Sequence, residues 1–178
     1  MFTETAPTTG ANVMMLRLDG TRRVEPLVQT ASNEQNGEIS LDGRWLAYQS
    51  NESGQFEIYV RPFPAVNNGR WQVSTGGGTR PLWARNSPEL FYLASDGAFM
   101  RVGVERGSTW VATAPEKLLD GNYYSAGGFG GRPYDISADG QRFLMTKAGG
   151  GSESTSAATS LVVVQNWGDE LKRLIPMK

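Results

Sequence analysis

The sequence has no histidine and no cysteine among its 178 residues. Without histidine the chain has no Ser-His-Asp triad, no imidazole general base and no His-ligated zinc or iron. Without cysteine it has no disulfide, no thiolate metal site and no cysteine nucleophile. From these two absences we expect a protein that needs no cofactor and is not an enzyme.

The chain also lacks a large excess of either positive or negative charge. The chain has 17 Lys and Arg against 18 Asp and Glu, a net charge of -1, and no long run of like charges. A protein that binds the nucleic-acid backbone needs a basic face, so we do not expect nucleic acid as a partner. No apolar run approaches the about 20 residues of a membrane span, and residues 1–12 lack the features of a secretory signal. The sequence predicts a cytoplasmic protein with no membrane partner, or a periplasmic one if the chain is a segment of a longer protein.

Glycine and proline are plentiful, with 22 and 9 residues spread along the chain, as in folds with many tight turns. Residues 39–48, Ile-Ser-Leu-Asp-Gly-Arg-Trp-Leu-Ala-Tyr, have two imperfect copies further along the chain. The copies align in three columns: Ile39, Trp83 and Ile136; Asp42, Asn86 and Asp139; Leu46, Leu90 and Phe143. The offsets are 44 and 53 residues, and a glycine-rich insertion around 123–131 accounts for the larger one.

Alternating apolar residues between turn residues predict short strands throughout the chain. The predicted strands are 13–18, 23–28, 39–40, 44–50, 56–61, 70–74, 80–84, 89–94, 98–104, 109–112, 134–137, 141–147 and 160–165. Four antiparallel strands in about forty residues are the content of one β-propeller blade. We therefore predict an all-β fold, a small or incomplete propeller of about three to four four-stranded antiparallel blades.

The predicted propeller is a single domain over residues 1–178. It consists of a flexible N-terminus at 1–12, a partial blade at 13–35 and blades at 36–78, 79–120 and 121–178, the last with a Gly/Ser-rich loop at 148–159. Residues 31–38 are interpreted as a connection, and 169–174 are the only helix candidate.

Residues 39–48 resemble the Ser-Pro-Asp-Gly-(Arg/Lys)-X-(Leu/Ile)-Ala-(Tyr/Phe) signature of TolB-type, WD-like β-propeller repeats. Residues 71–83 look like the join between consecutive blades of that group, and the resemblance covers most of 36–147. Leu41 and Ala138 replace the signature proline, and Asn86-Ser87 replaces Asp-Gly in the second copy. Similar propellers follow bacterial serine/threonine kinase domains, form part of periplasmic TolB and precede the catalytic domain of prolyl-oligopeptidase-like peptidases.

Propellers of this type usually have six or more blades, whereas the chain holds about three copies and an N-terminal hairpin. An open ring would expose sheet edges and apolar faces. We expect the chain either to close as a four-bladed ring or to pair with a second copy or another subunit. A protein partner, a homodimer or a hetero-assembly that completes the propeller follows from this expectation.

Glycine runs and acidic residues are the remaining candidates for chemistry. The glycine runs at 76–78 and 127–131 lack a following Lys-Ser or Lys-Thr, so we interpret them as interblade loops, not phosphate cradles. The candidate carboxylates are Asp42, Asp96, Asp120, Asp135 and Asp139. Asp42, Asp96 and Asp139 stand in turn sequences and are better interpreted as turn formers than as catalysts.

The tryptophans stand mostly on predicted strands, which favours packing between blades. Arg80-Pro81 and Arg132-Pro133 precede the innermost strands of two blades, which would point both arginines to one end of the channel. The predicted binding surface, for an anion or a partner protein, comprises Arg80, Trp83, Arg85, Arg132, Tyr134 and Asp135.

The leading interpretation is a non-enzymatic scaffold for protein–protein interaction or ligand sensing. One alternative is the regulatory or gating propeller of a larger kinase or peptidase. The other is a carboxylate-dependent glycan hydrolase, which would require two carboxylates about 5 to 10 Å apart in a pocket.

Overall fold

The computed structural model describes residues 1–120 and 131–146, all within one compact unit, Met1–Ala148. Every regular element in these residues is a β-strand, which confirms the all-β prediction for this part of the chain. Among the same residues there is no helix long and apolar enough to cross a membrane.

Thirteen strands occur in the described residues. In chain order they are β1 Phe2–Ala6, β2 Gly10–Leu16, β3 Val24–Val28, β4 Glu34–Ile39, β5 Trp45–Ser50, β6 Glu57–Pro62, β7 Trp71–Gln72, β8 Thr79–Trp83, β9 Glu89–Leu93, β10 Phe99–Gly103, β11 Glu116–Leu119, β12 Tyr134–Ile136 and β13 Phe143–Met145.

The strands form four antiparallel sheets, each made of strands consecutive in sequence. Sheet 1 has the order β1-β2-β3, sheet 2 β4-β5-β6-β7, sheet 3 β8-β9-β10-β11 and sheet 4 β12-β13. The first strand of every sheet is therefore an edge strand. Such up-and-down sheets need only local connections, which the abundant Gly and Asp-Gly turns supply.

Three hydrophobic clusters lie between consecutive sheets. Sheets 1 and 2 share a cluster that includes Val13 and Tyr48, and sheets 3 and 4 share one that includes Phe99 and Tyr134. Between sheets 2 and 3 the buried residues are Trp45, Ala47, Ile58, Val60, Trp83, Leu90, Tyr92, Val102 and Val104, with Trp71 and Trp110 packed against them. Packing between neighbouring sheets, as predicted, is thus the role of the four tryptophans in the described residues.

Strand β5 shows how the sequence produces this stacking. All six of its side chains are buried. Trp45 and Ala47 face sheet 3, whereas Leu46 and Tyr48 face sheet 1, because successive side chains of a strand point to opposite faces. A strand buried on both faces reads as a nearly continuous apolar run, and this is the pattern of residues 45–48.

Three local predictions were wrong. The predicted flexible terminus contains β1, which pairs with β2 through a turn that ends in the Ala6–Gly10 pair, so Pro7 and Gly10 mark a hairpin. The predicted connection at 31–38 contains most of β4, where an irregular register between Gln35 and Glu38 accommodates the polar Asn-Gly pair. The fourth strand of sheet 3 is β11, whereas the predicted segment 109–112 contributes only an isolated Val104–Ala112 bridge.

Several predictions lie outside the described residues. These are most of the glycine-rich insertion, the loop at 148–159, the strand at 160–165, the helix candidate at 169–174 and Trp167.

Candidate functional site

A polar cavity of about 260 Å³ lies where the first strands of the sheets approach one another. Its lining residues come from β1, β4 and β8 and from the segment just before β12: Met1, Phe2, Thr3, Asn36, Gly37, Glu38, Arg80 and Arg132. We call it the arginine cavity. All four sheets thus contribute to it through the edge strand that comes first in sequence, or through the residues that lead into that strand.

Two matching irregularities shape the cavity. Asn36 and Arg80 have left-handed backbones, with φ of 53° and 55°, and the strand register shifts beside each of them. The two residues stand 44 residues apart, the same offset as the first two repeat copies. A left-handed conformation is uncommon for a residue with a side chain, and it persists only where the surroundings enforce it. Both repeats therefore use the same bulge to place a polar residue at the cavity.

Arg132 and Glu38 form an ion pair at the cavity. One Arg132 Nη bonds a Glu38 carboxylate oxygen and also donates to the Pro81 carbonyl at 2.9 Å. The Arg132 guanidinium lies 5.9 Å from the centre of the Tyr134 ring, within cation–π range. Burial raises the pKa of the Glu38 carboxyl above its ordinary value, and the charge of Arg132 opposes that shift. The lining residues of the cavity thus include two arginines, Arg80 and Arg132, and one glutamate.

Buried groups hold the cavity walls. The Tyr134 hydroxyl donates to the Arg80 carbonyl, and burial raises the pKa of this phenol. The Trp83 indole Nε1 donates to the Glu38 carbonyl at 3.0 Å. The Gln49 side-chain oxygen accepts bonds from the Arg80 backbone N–H at 2.8 Å and the Asn36 amide at 2.9 Å. Asn36 of sheet 2 and Arg80 of sheet 3, the two residues with left-handed backbones, are thus both hydrogen-bonded to Gln49.

The structure divides the predicted binding surface. Arg80 and Arg132 line the cavity, while Trp83 and Tyr134 are buried and support it. Arg85 and Asp135 are outside the lining and pair with each other at 3.5 Å, with about half of each side chain exposed. A surface ion pair of this kind contributes little to stability.

Sequence reasoning missed the acidic and amide members of the cavity. Asn36, Gly37 and Glu38 fell within the segment predicted as a connection, and Thr3 within the predicted flexible terminus. The repeat offset was the available signal, because it places Asn36-Gly37 in register with Arg80-Pro81.

The candidate carboxylates have local partners. Asp42, Asp96 and Asp139 accept hydrogen bonds from backbone N–H groups two residues on, at 3.2, 2.9 and 3.0 Å, which confirms their interpretation as turn formers. Asp120 pairs with Lys117 at 2.5 Å. Residues 1–120 and 131–146 contain no group of three or more acidic side chains placed to hold a metal ion.

Comparison of the chain with models of known protein families and with curated proteins gave no match.

Proposed function

We propose that this chain is a non-enzymatic binding scaffold, built as a segment of a β-propeller, that recognises an acidic group at the arginine cavity. The observation that carries the proposal is the convergence of all four sheets on this cavity. In a propeller the first strand of each blade lies next to the central channel, so the arginine cavity would stand at the channel.

The propeller arrangement is supported by the order of the sheets and by their packing. Each sheet is an up-and-down unit of consecutive strands, and hydrophobic clusters join sheet 1 to 2, sheet 2 to 3 and sheet 3 to 4. Radial repetition of such sheets produces a propeller.

An acidic ligand is favoured by the charges of the cavity. Residue Arg80 is only 6% exposed, so its guanidinium lies in surroundings where a nearby charge acts more strongly than in water. Arg132 keeps 30% of its side chain exposed, and its planar guanidinium has donors for a second carboxylate besides Glu38. The acidic group would come from a partner protein or from a small ligand.

The test is an NMR titration of the ¹⁵N-labelled chain with succinate and, separately, with a glutamate-containing peptide whose C-terminus is blocked. Both titrations are made at constant ionic strength. We expect shifts of the amide signals of residues 36–38 and 80. Arg132→Gln should weaken binding about 10- to 100-fold, because a hydrogen bond to a charged group contributes about 1.5–3 kcal/mol.

Arg70→Gln is the matched control, since Arg70 is also a part-exposed arginine in an ion pair, with Glu52 at 2.5 Å, and is not in the cavity lining. Tighter binding of the peptide would favour a protein partner, and equal binding a small ligand. If neither probe binds, or if both variants weaken binding equally, acidic recognition at this cavity is wrong.

The regulatory-fragment alternative depends on residues outside this chain and stays a prediction. The glycan-hydrolase alternative also stays a prediction. Among the described residues the candidate carboxylates accept hydrogen bonds in turns or form ion pairs.

A further inference from the structure

A second cavity, of about 510 Å³, lies between sheets 2 and 3 at their turns. Its lining comprises the turn after β4, the turn after β8 and the segment after β10: Ser40, Leu41, Asp42, Arg44, Trp45, Trp83, Ala84, Asn86, Ser87, Pro88, Val104, Glu105 and Arg106. We call it the turn groove. Trp45, Trp83, Ala84 and Val104 are buried and make its apolar part, whereas the charged residues are exposed. The groove shares no lining residue with the arginine cavity.

Leu41 stands at the tip of the turn on the rim of this groove and is 76% exposed. The turn is rigid: the Gly43 N–H donates to the Ser40 carbonyl at 2.9 Å, and the Ser40 hydroxyl donates to Asp42 at 2.6 Å and accepts the Trp45 N–H at 3.0 Å. These hydrogen bonds fix the backbone of the turn with Leu41 at its exposed tip.

The turn itself does not require a leucine at this position. The third repeat copy has the same bonds, from Gly140 N–H to the Ser137 carbonyl at 2.9 Å and from the Ser137 hydroxyl to Asp139 at 2.5 Å. Its residue equivalent to Leu41 is Ala138, and the equivalent residue in the second copy is Arg85. The apolar side chain therefore needs an explanation outside the fold of the turn.

The charges on the groove rim are balanced. Asp42 and Glu105 stand with Arg44 and Arg106, so the rim has two residues of each sign. Arg44 reaches across and donates to the Gly107 carbonyl at 2.7 Å. Glu105 and Arg106 are exposed, and within residues 1–120 and 131–146 neither side chain has a hydrogen bond or ion pair.

We propose that the turn groove is the contact surface of a symmetric homodimer, in which Leu41 of each copy enters the groove of the other. A twofold interface brings a surface against itself, so it needs a projecting group, a recess and charges of both signs within one patch. The turn groove has all three. A rim of a single sign would repel its own copy, whereas this rim allows Glu105 of one copy to meet an arginine of the other.

The test is sedimentation equilibrium of the full chain from micromolar to near-millimolar concentration. We expect a monomer–dimer equilibrium, and Leu41→Glu should raise the dissociation constant at least about 100-fold. The factor follows from the loss of one buried leucine from each half of the interface, because each buried leucine contributes more than a tenfold change in the constant. Leu18→Glu is the control, since Leu18 is 86% exposed in the turn of another hairpin and should leave the constant unchanged.

Leu41→Ala is a second variant that should not disturb folding, because alanine already occupies the equivalent position of the third turn. It should fold as the parent chain does and weaken the dimer by a smaller factor than Leu41→Glu. A chain that stays monomeric at every concentration overturns the proposal. So does a dimer that Leu41→Glu and Leu18→Glu affect equally, which would place the contact elsewhere, for example at a sheet edge.

Discussion

At the Glu38–Arg132 ion pair, burial and charge act on one carboxyl group in opposite directions. Burial raises the pKa of Glu38 and is the larger effect, whereas the guanidinium of Arg132 lowers it. Arg132→Gln removes the second effect and leaves the first. We therefore expect the pKa of Glu38 to rise further in this variant, as measured by ¹³C NMR titration of the glutamate carboxyl carbons.

The same variant should change the dependence of stability on pH. A carboxyl whose folded pKa lies above its unfolded value, 4.5, stabilises the fold below that value, and this contribution is lost as pH rises through the folded pKa. Arg132→Gln should therefore lose more stability than the parent chain between acidic and neutral pH. An unchanged or lower pKa of Glu38 in Arg132→Gln would contradict this account, and Arg70→Gln should leave the titration of Glu38 as it is.

The glycine run at 76–78 allows a sharper test at single residues. A Cβ on Gly78 would lie 2.8 Å from Ile58 Cγ1 and even closer to the Ser74 hydroxyl, which is fixed because it accepts the Ile58 N–H at 2.8 Å. Gly78→Ala should therefore destabilise the chain by about 1–3 kcal/mol through overpacking. Urea unfolding measures the loss.

Gly76→Ala is the matched control, two residues away in the same run. A Cβ on Gly76 meets nothing within 4 Å, so this change should be neutral or stabilise by up to about 1 kcal/mol, through the entropy of the unfolded chain. Equal effects of the two variants would mean that close packing is not why glycine occupies position 78. The amides of Gly77 and Gly78 already donate to Glu57 and Phe56, at 2.9 and 2.8 Å, as expected of a structural loop.

At the scale of the strand, alternation and turn chemistry were enough to predict most elements. β5 and β9 combine large apolar side chains on both faces with clear turn residues at their ends, so their patterns are unambiguous. β1 and β11 were missed because four of the five side chains of β1 and all four of β11 are exposed. An exposed edge strand leaves no hydrophobic period in the sequence.

Only part of the candidate site was predicted from the sequence. The sequence predicted that Arg80 and Arg132 precede two first strands. In the structure Arg80 lies within β8 and only Arg132 precedes its strand, β12, but both line one cavity. The bulge at Arg80 depends on a left-handed backbone that arginine does not favour, whereas Asn36 is of a residue type that adopts this conformation more often. Glu38 belongs to the site because of its bond with Arg132, which lies 94 residues away in the sequence.

At the scale of the molecule, sheets 2 and 3 are the centre of the described structure. Each contributes residues to a hydrophobic cluster on both of its faces, whereas sheets 1 and 4 each contribute to only one of the three clusters. The buried residues of the cluster between sheets 2 and 3 come from five different strands or their ends. A destabilising substitution in the middle of this cluster should therefore reduce the stability of both sheets.

Leu90→Ala tests whether the two sheets unfold together. Leu90 is fully buried in the cluster between sheets 2 and 3, where Trp45 and Ala47 of β5 also lie, so the change should cost about 2–5 kcal/mol. Native-state hydrogen exchange should show the slowest amides of β5 and β9 losing protection by the same free energy, because cooperative units share one opening reaction. Leu144→Ala, at a residue 77% exposed, should alter protection by no more than about 0.5 kcal/mol. If protection falls in β9 and stays unchanged in β5, the sheets open independently, and a stack of separate units replaces the single cooperative structure that the shared cluster implies.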